Sequence, residues 1–125
     1  MSAHIPLITV LTMVLLLAAT VTVGRCRALF KVHAPATSGH PTFERAFRAQ
    51  ANTNEQVLVF LPLLWLVHHF GNTEWAVYLG YAWLFGRTWY LVGYVRDARK
   101  RGLGFLIGML ATAGLLVLAA KGALA

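Results

Sequence analysis

The sequence predicts an all-α integral membrane protein, a four-helix bundle formed by a single domain over residues 1–125. Two observations carry this prediction. Hydrophobic residues make up 58% of the chain and charged residues only 12%, and the apolar residues fall into four segments separated by short basic or polar stretches. A chain of 125 residues leaves no room for a second domain.

The first apolar segment, residues 5–23, is continuous and uncharged. As a helix it would be about 28 Å long, enough to cross a bilayer. Pro6 suits the first helical turn, and Gly24 with the basic cluster after it is expected to end the helix. A cleaved signal peptide is the alternative. No basic residue precedes the apolar run and no Ala-x-Ala site follows it directly, so a retained helix is favoured.

The second apolar segment, residues 57–67, is too short to span alone and requires the polar stretch before it to belong to the same helix. Residues 33–41 contain proline and glycine and are predicted to form a loop. Thr42 is the expected N-cap, and the helix would run to about His69, roughly 40 Å. Pro62 is expected to kink it.

The third helix should begin near Thr73 or Glu74, after a short outer turn, and could run as far as Arg101. Gly102 is expected to break it, and a fourth helix follows over residues 103–120. Small residues at four-residue spacing let membrane helices approach closely, and on the fourth helix they are Gly104, Gly108 and Thr112.

The basic residues predict the orientation. They concentrate in the first and third connections, whereas the second connection, residues 68–74, has none. By the positive-inside rule the first and third connections are cytoplasmic, and both termini lie outside the inner membrane. The net charge of +7 is therefore explained by topology and requires no nucleic acid.

Cysteine and histidine give little sign of a special site. Cys26 is the single cysteine, so an internal disulfide is excluded. Arginines flank it and could activate the thiol, but an inert thiol is the favoured interpretation. The histidines show no metal-ligand spacing beyond the pair His68–His69, which we expect to be solvated, and we predict no metal site.

A polar stripe enters the membrane on the second helix. The stretch FERAFRAQANTNEQ, residues 43–56, leads directly into the apolar segment. Arg48, Asn52 and Glu55 fall at i, i+4 and i+7, on one helix face. Because lipid cannot satisfy these groups, they must face protein or a water-filled cavity, which makes them candidates for a functional site.

The third helix carries a matching stripe, since Arg87, Tyr90, Tyr94 and Arg101 fall at i, i+3, i+7 and i+14. The two helices are antiparallel, so both stripes lie in the cytoplasmic half of the membrane, and Arg27 joins them there from the end of the first helix.

An unpaired charge near mid-bilayer costs about 2.5–3.5 kcal/mol, and an ion pair between Glu55 and Arg87 would relieve this cost. That pair could be purely structural. Tyr90 and Tyr94 could likewise be interfacial aromatic residues rather than ligand contacts.

The charges indicate a small, anionic, peptide-like ligand that is reached from the cytoplasm. Four arginines face one glutamate, and arginine suits carboxylates in fork geometry. Glu55 and Asn52 could take an ammonium or an amide. Glutathione fits this description, whereas phosphates or anionic lipid heads would leave Glu55 without a role.

Three stretches resemble one known family, the membrane-associated proteins in eicosanoid and glutathione metabolism (MAPEG). FERAFRAQANTNEQ resembles the family's hallmark in the second of four membrane helices. RTWYLVGYVRDARKR, residues 87–101, resembles its third-helix motif, and KVHAPATSGHPTFER resembles its first cytoplasmic connection. The resemblance covers nearly the whole chain, although the fourth helix matches only in hydrophobicity.

The resemblance implies a homotrimer that binds glutathione between neighbouring subunits on the cytoplasmic side. Carried over by motif position, the binding residues are Arg27, Arg48, Gln50, Asn52, Glu55, Arg87, Tyr90 and Tyr94. Arg101 matches the arginine that stabilises the thiolate, and Tyr94 competes for this catalytic role because a phenol can also donate to a thiolate.

The implied function is a membrane-bound glutathione transferase that detoxifies lipophilic electrophiles, with reduction of lipid hydroperoxides as a second activity. The expected partners are glutathione as co-substrate, a lipophilic small molecule and membrane lipid. The alternative is a non-catalytic lipid-binding or scaffold member of the same fold. A small-molecule exporter is disfavoured, because the outer half of the helices carries no charge.

Two positions depart from the motif. Leukotriene-forming members have Tyr where this chain has Gln56, which affects one expected ligand contact, and a second Arg where it has Ala28, which argues against leukotriene synthesis. The non-enzymatic relative lacks the motif arginine, and the presence of Arg48 therefore favours an enzyme.

Overall fold

The computed structural model describes residues 3–125, and within them the chain forms four long α-helices and no strand. A single 3₁₀ turn, Ala98–Lys100, connects the last two helices. The predicted all-α, four-helix class is confirmed. The helices are α1 (His4–Phe30), α2 (Pro41–His69), α3 (Thr73–Arg96) and α4 (Gly102–Leu124).

Two stretches within residues 3–125, His4–Phe30 and Ala98–Leu124, are long and apolar enough to cross a membrane. Helices α2 and α3 are long enough to cross a membrane, but they are less apolar than these two stretches. Both carry the polar residues that the sequence analysis placed in stripes, and these lower the hydropathy of segments that are otherwise apolar.

Helix α1 continues past Gly24, where the sequence analysis expected it to end. It runs on to Phe30 and stops at Lys31, whose backbone is left-handed (φ 55°) and whose N–H donates to the carbonyl of Arg27. The extra turns are stabilised by packing, because Val23 and Cys26 are buried against the start of α2. This packing offsets the weak helix propensity of glycine.

The N-cap of α2 is His40, not Thr42 as the sequence analysis expected. The backbone N–H of Thr42 donates to His40 Nδ1 at 3.1 Å, and Pro41 occupies the first helical position. Proline is suited to that position because its missing N–H would have no helical partner. Helix α2 then continues through Pro62 without a break.

The turn between α2 and α3 differs from expectation at one histidine. His68 was expected to be solvated, but it is half-buried, and its Nδ1 lies 2.8 Å from Thr73 Oγ1. His69 is exposed.

Helix α3 ends at Arg96 instead of continuing to Arg101. Asp97 has an extended backbone (φ −161°, ψ 124°), and its carboxylate accepts the N–H of Arg99 at 3.0 Å. A short side chain that bonds to nearby backbone competes with the helix, which explains the stop. The Arg99 backbone and side chain hold the pKa of the Asp97 carboxyl below its usual range. Arg101 therefore occupies the N-cap of α4, on a different helix from the one predicted.

Helices α3 and α4 pack with their backbones close together, as the small residues of α4 predicted. A Cβ added to Gly104 would lie 2.5 Å from the backbone N of Tyr90 and 2.6 Å from the carbonyl O of Gly86. Deeper in the bundle, the ring of Phe60 stacks on Trp83 with centroids 3.9 Å apart. The close approach of α4 positions its first residues beside the polar face of α3.

Candidate ligand-binding site

A polar cavity of about 400 Å³ opens where α2, α3 and the start of α4 meet. Five of the residues predicted from the two stripes line it. Gly102 and Phe105 complete the lining, and no acidic side chain belongs to it. The five predicted residues are Arg48, Asn52, Tyr90, Tyr94 and Arg101.

Arg87 is bound to Asn52 at the inner end of this site. Its Nη1 and Nη2 donate to Asn52 Oδ1 at 2.9 and 3.1 Å. The guanidinium lies over the ring of Tyr90, with Cζ 4.0 Å from the ring centroid. Arg87 is only 2% exposed, and its Nε has no hydrogen-bond partner among residues 3–125. A buried cation is therefore held by a neutral amide and an aromatic face, with no carboxylate.

The expected ion pair between Glu55 and Arg87 is not formed. Glu55 is exposed, and it lies three residues after Asn52 on α2. Three residues correspond to about 300° around a helix, so the two side chains diverge by roughly 60°. Asn52 points at α3 and takes the contact that the sequence analysis assigned to Glu55.

Arg101 reaches the same face from α4. Its Cζ lies 4.4 Å from the ring centroid of Tyr94, and the rings of Tyr94 and Tyr90 meet edge to face at 5.5 Å. Both tyrosines are buried. The side chains thus form a continuous row in the order Arg87, Tyr90, Tyr94 and Arg101. The N-terminus of α4 adds the positive end of a helix dipole beside Arg101.

Arg48 completes the positive lining of the cavity. It is exposed, and within the described part of the chain it makes no hydrogen bond or ion pair. Its guanidinium is therefore available to a ligand.

Arg27 and Gln50 lie elsewhere in the chain. Arg27 donates to the carbonyls of Val32 and Ala36 at 3.3 and 2.8 Å, and it holds the loop after α1. Gln50 Nε2 donates to Thr20 Oγ1 on α1 at 2.9 Å. On α2, positions 50 and 52 are about 200° apart. One chain therefore presents the predicted ligand residues on two opposite faces.

Phe105 contributes a lining side chain that the sequence analysis did not assign to the site. Its ring centroid is 6.0 Å from that of Tyr90, and Arg87 Cζ lies 5.9 Å from it. It follows Arg101 by four residues, one helical turn, and this spacing was the available signal. The residues that the structure describes contain no group of three or more His, Cys, Asp or Glu side chains that could hold a metal ion.

Comparison with known proteins places the sequence in a family. The sequence model of the MAPEG family matches residues 5–121. The chain is 45% identical over 111 residues to the uncharacterized protein sll1147 of Synechocystis, which covers 89% of this chain and 81% of that protein.

Two kinds of named enzyme are also similar. Human microsomal glutathione S-transferase 2 is 40% identical over 100 residues, covering 80% of this chain and 68% of the enzyme. Bovine leukotriene C4 synthase is 39% identical over 99 residues, covering 79% and 66% respectively. With the apolar helices, these matches identify a membrane protein, and the chain belongs to the MAPEG family.

Proposed function

We propose that this protein is a membrane-bound glutathione transferase. One observation carries the proposal: the guanidinium groups of Arg48 and Arg101 line a cavity that no carboxylate lines, and the buried guanidinium of Arg87 lies behind Asn52 and Tyr90 in its wall. Such a site is ready for an anionic ligand. The similarity to microsomal glutathione S-transferase 2 and leukotriene C4 synthase supports glutathione as that ligand.

The available groups suit the parts of glutathione. Arginine binds carboxylates with paired, charge-assisted hydrogen bonds, so the exposed Arg48 can take a carboxylate, whereas the buried Arg87 acts on the ligand only through Asn52. Asn52 already fixes Arg87 and leaves its own amide N–H groups for a ligand carbonyl. Glu55 is exposed and can take the ligand ammonium.

We infer that Arg101 acts on the sulfur of glutathione. A free thiol has a pKa of about 8.5, and a nearby cation lowers it. Stacking on Tyr94 holds the guanidinium in one position. The thiolate then attacks a lipophilic electrophile: a sulfur–carbon bond forms, and the leaving group departs with its electron pair. With a lipid hydroperoxide, two glutathiones are oxidised to the disulfide while the hydroperoxide is reduced to an alcohol and water.

A trimer would join the two separated faces. Arg27 and Gln50 point away from the cavity of their own chain, so they can complete a site only on a neighbouring subunit. The homotrimer itself follows from the family resemblance.

From the basic first and third connections we infer that the site faces the cytoplasm from the inner membrane. Thiol labelling of Ser38→Cys and Glu74→Cys in a Cys26→Ser background tests this orientation. We expect Glu74→Cys to react from outside the cell and Ser38→Cys not to react.

Ultraviolet absorbance of the purified protein tests the function directly. We expect glutathione to bind and to give a thiolate signal at neutral pH. Binding without thiolate would indicate a non-catalytic member of the fold. An absence of binding in calorimetry would reject the proposal and leave the lipid-binding or scaffold alternative.

A further inference from the structure

A second, apolar groove runs along the opposite side of α3 from the proposed glutathione site. Two cavities of about 340 and 470 Å³ lie between α1 and α3. They share Leu15, Ala18 and Thr88 in their walls, so they adjoin. We call the two adjoining cavities the α1–α3 groove.

The groove lies along the helices and has the length of a lipid chain. Tyr81 lines one end and Arg96 the other. These two residues are fifteen positions apart on α3, which corresponds to about 22 Å of helix. This length exceeds half of a hydrocarbon core that is about 30 Å thick.

The α1–α3 groove is distinct from the polar cavity. Val92 and Tyr94, which line the groove and the polar cavity respectively, are about 200° apart around α3.

The end of the groove at the α3–α4 turn is cationic. Arg96 lines the groove and also an adjoining cavity of about 400 Å³, whose wall includes Trp89 and Lys100. No acidic residue lines any of the three cavities. The neighbouring carboxylate of Asp97 is paired with Arg99 at 3.3 Å. Within residues 3–125, Arg96 itself makes no hydrogen bond or ion pair, so its charge is available.

We propose that the α1–α3 groove binds one anionic phospholipid from the leaflet that borders the α3–α4 turn. An acyl chain occupies the apolar length between α1 and α3, and the phosphate pairs with Arg96, the basic residue that lines the groove itself. An apolar channel with cations at one end, at the depth of the lipid headgroups, is complementary to this amphipathic anion. The site does not overlap the cavity in which glutathione is proposed to react.

Fluorescence quenching by brominated lipid tests the site, because Trp89 lines the cavity beside Arg96. The full chain is reconstituted in phosphatidylcholine vesicles that contain dibrominated phosphatidylglycerol or dibrominated phosphatidylcholine. The signal of Trp89 is the part of the quenching that Trp89→Phe removes. We expect the anionic lipid to quench it with about fivefold preference, the equivalent of roughly 1 kcal/mol for a basic residue near the surface.

Matched variants distinguish the groove from ordinary lipid contact. Arg96→Gln should abolish the preference, whereas Arg96→Lys should keep it. Lys31→Gln removes an exposed charge from the first connection and should also keep it. Thr88 lines all three cavities, and Thr88→Leu should reduce quenching by both lipids.

Three results would overturn the proposal. Equal quenching by both headgroups would mean unselective lipid contact, and a preference that survives Arg96→Gln would mean that the charge acts elsewhere. No quenching of Trp89 by either lipid would mean that a second copy of the chain covers the groove.

Discussion

The guanidinium of Arg101 lies over the ring of Tyr94, with Cζ 4.4 Å from the ring centroid. The two residues are on different helices, because α3 ends at Arg96 and Arg101 is the N-cap of α4. The 3₁₀ turn between them folds the chain back, so the contact depends on the shape of that turn. Arg101 is thus held at the mouth of the polar cavity by tertiary structure.

Replacement of Arg101 should separate thiol activation from binding. Without the guanidinium, the pKa of the thiol of bound glutathione should rise towards about 8.5, the value of a free thiol. Turnover of Arg101→Ala should therefore fall strongly at pH 7 and recover in part at higher pH, where thiolate forms unaided. The measurement is the pH profile of turnover together with glutathione affinity by calorimetry. Full activity in Arg101→Ala with a loss in Tyr94→Phe would assign the role to the phenol instead.

Gly93 should act as a positioning residue for Arg101. A Cβ at Gly93 would lie 2.6 Å from the carbonyl O of Lys100, a backbone atom that must then move. Gly93→Ala should displace the turn and shift the pH profile in the same direction as Arg101→Ala, with glutathione binding retained. Gly24→Ala is the matched control, since nothing lies within 4 Å of a Cβ there. An unchanged pH profile in Gly93→Ala would show that the action of Arg101 on the thiol does not depend on the position of this turn.

The bond between Asn52 and Arg87 should contribute to stability as well as to the site. Asn52→Leu would leave a buried guanidinium without its acceptor, at a cost of about 1–3 kcal/mol or more for a charged group. We expect a lower thermal midpoint in detergent for Asn52→Leu. Asn52→Asp should retain the contact as an ion pair, and Asn54→Leu, at an exposed position, is the control. Equal midpoints for Asn52→Leu and Asn54→Leu would mean that Arg87 finds another acceptor.

Arg48 should contribute to glutathione affinity without affecting the fold, because it is exposed and lines the cavity. Arg48→Ala should weaken binding by about 1.5–3 kcal/mol, the range for a hydrogen bond to a charged group. Glu55→Gln should weaken it too if Glu55 takes the ligand ammonium. Calorimetry measures the glutathione affinity of both variants. Arg25→Gln is the control, because it removes the same charge from another exposed position. Wild-type affinity in Arg48→Ala and Glu55→Gln would show that the stripe is structural only.

The sequence predicted part of the polar cavity but not how its residues pair. Helical periodicity placed Arg48, Asn52, Tyr90 and Tyr94 on facing stripes, and all four line one cavity in the structure. Charge pairing assigned Arg87 to Glu55, whereas the structure pairs it with Asn52. Both residues lie on the same broad face of α2, and only the direction of α3 decides between them. Helical periodicity also extended α3 to Arg101, since the Asp97 side chain that stops the helix acts through a local bond that periodicity does not report.

Two of the predicted ligand residues provide the last prediction, because they lie on opposite faces of α2. Arg48 lines the polar cavity, whereas Gln50 donates to Thr20 Oγ1 on α1. If a trimer forms the site, Arg48 of one subunit and Gln50 of the next act on the same glutathione. Arg48→Ala and Gln50→Ala should then each lower activity. Co-expression of the two variants should restore part of the activity, because some mixed interfaces contain both intact residues.

Thr20→Val is the control for the hydrogen bond between Gln50 and Thr20 within one chain. It should lower stability as Gln50→Ala does, but it should leave glutathione affinity unchanged. If co-expression restores no activity in trimers shown to be mixed by mass measurement, or if Thr20→Val reduces affinity as much as Gln50→Ala, Gln50 only braces α2 against α1. The site would then belong to a single chain.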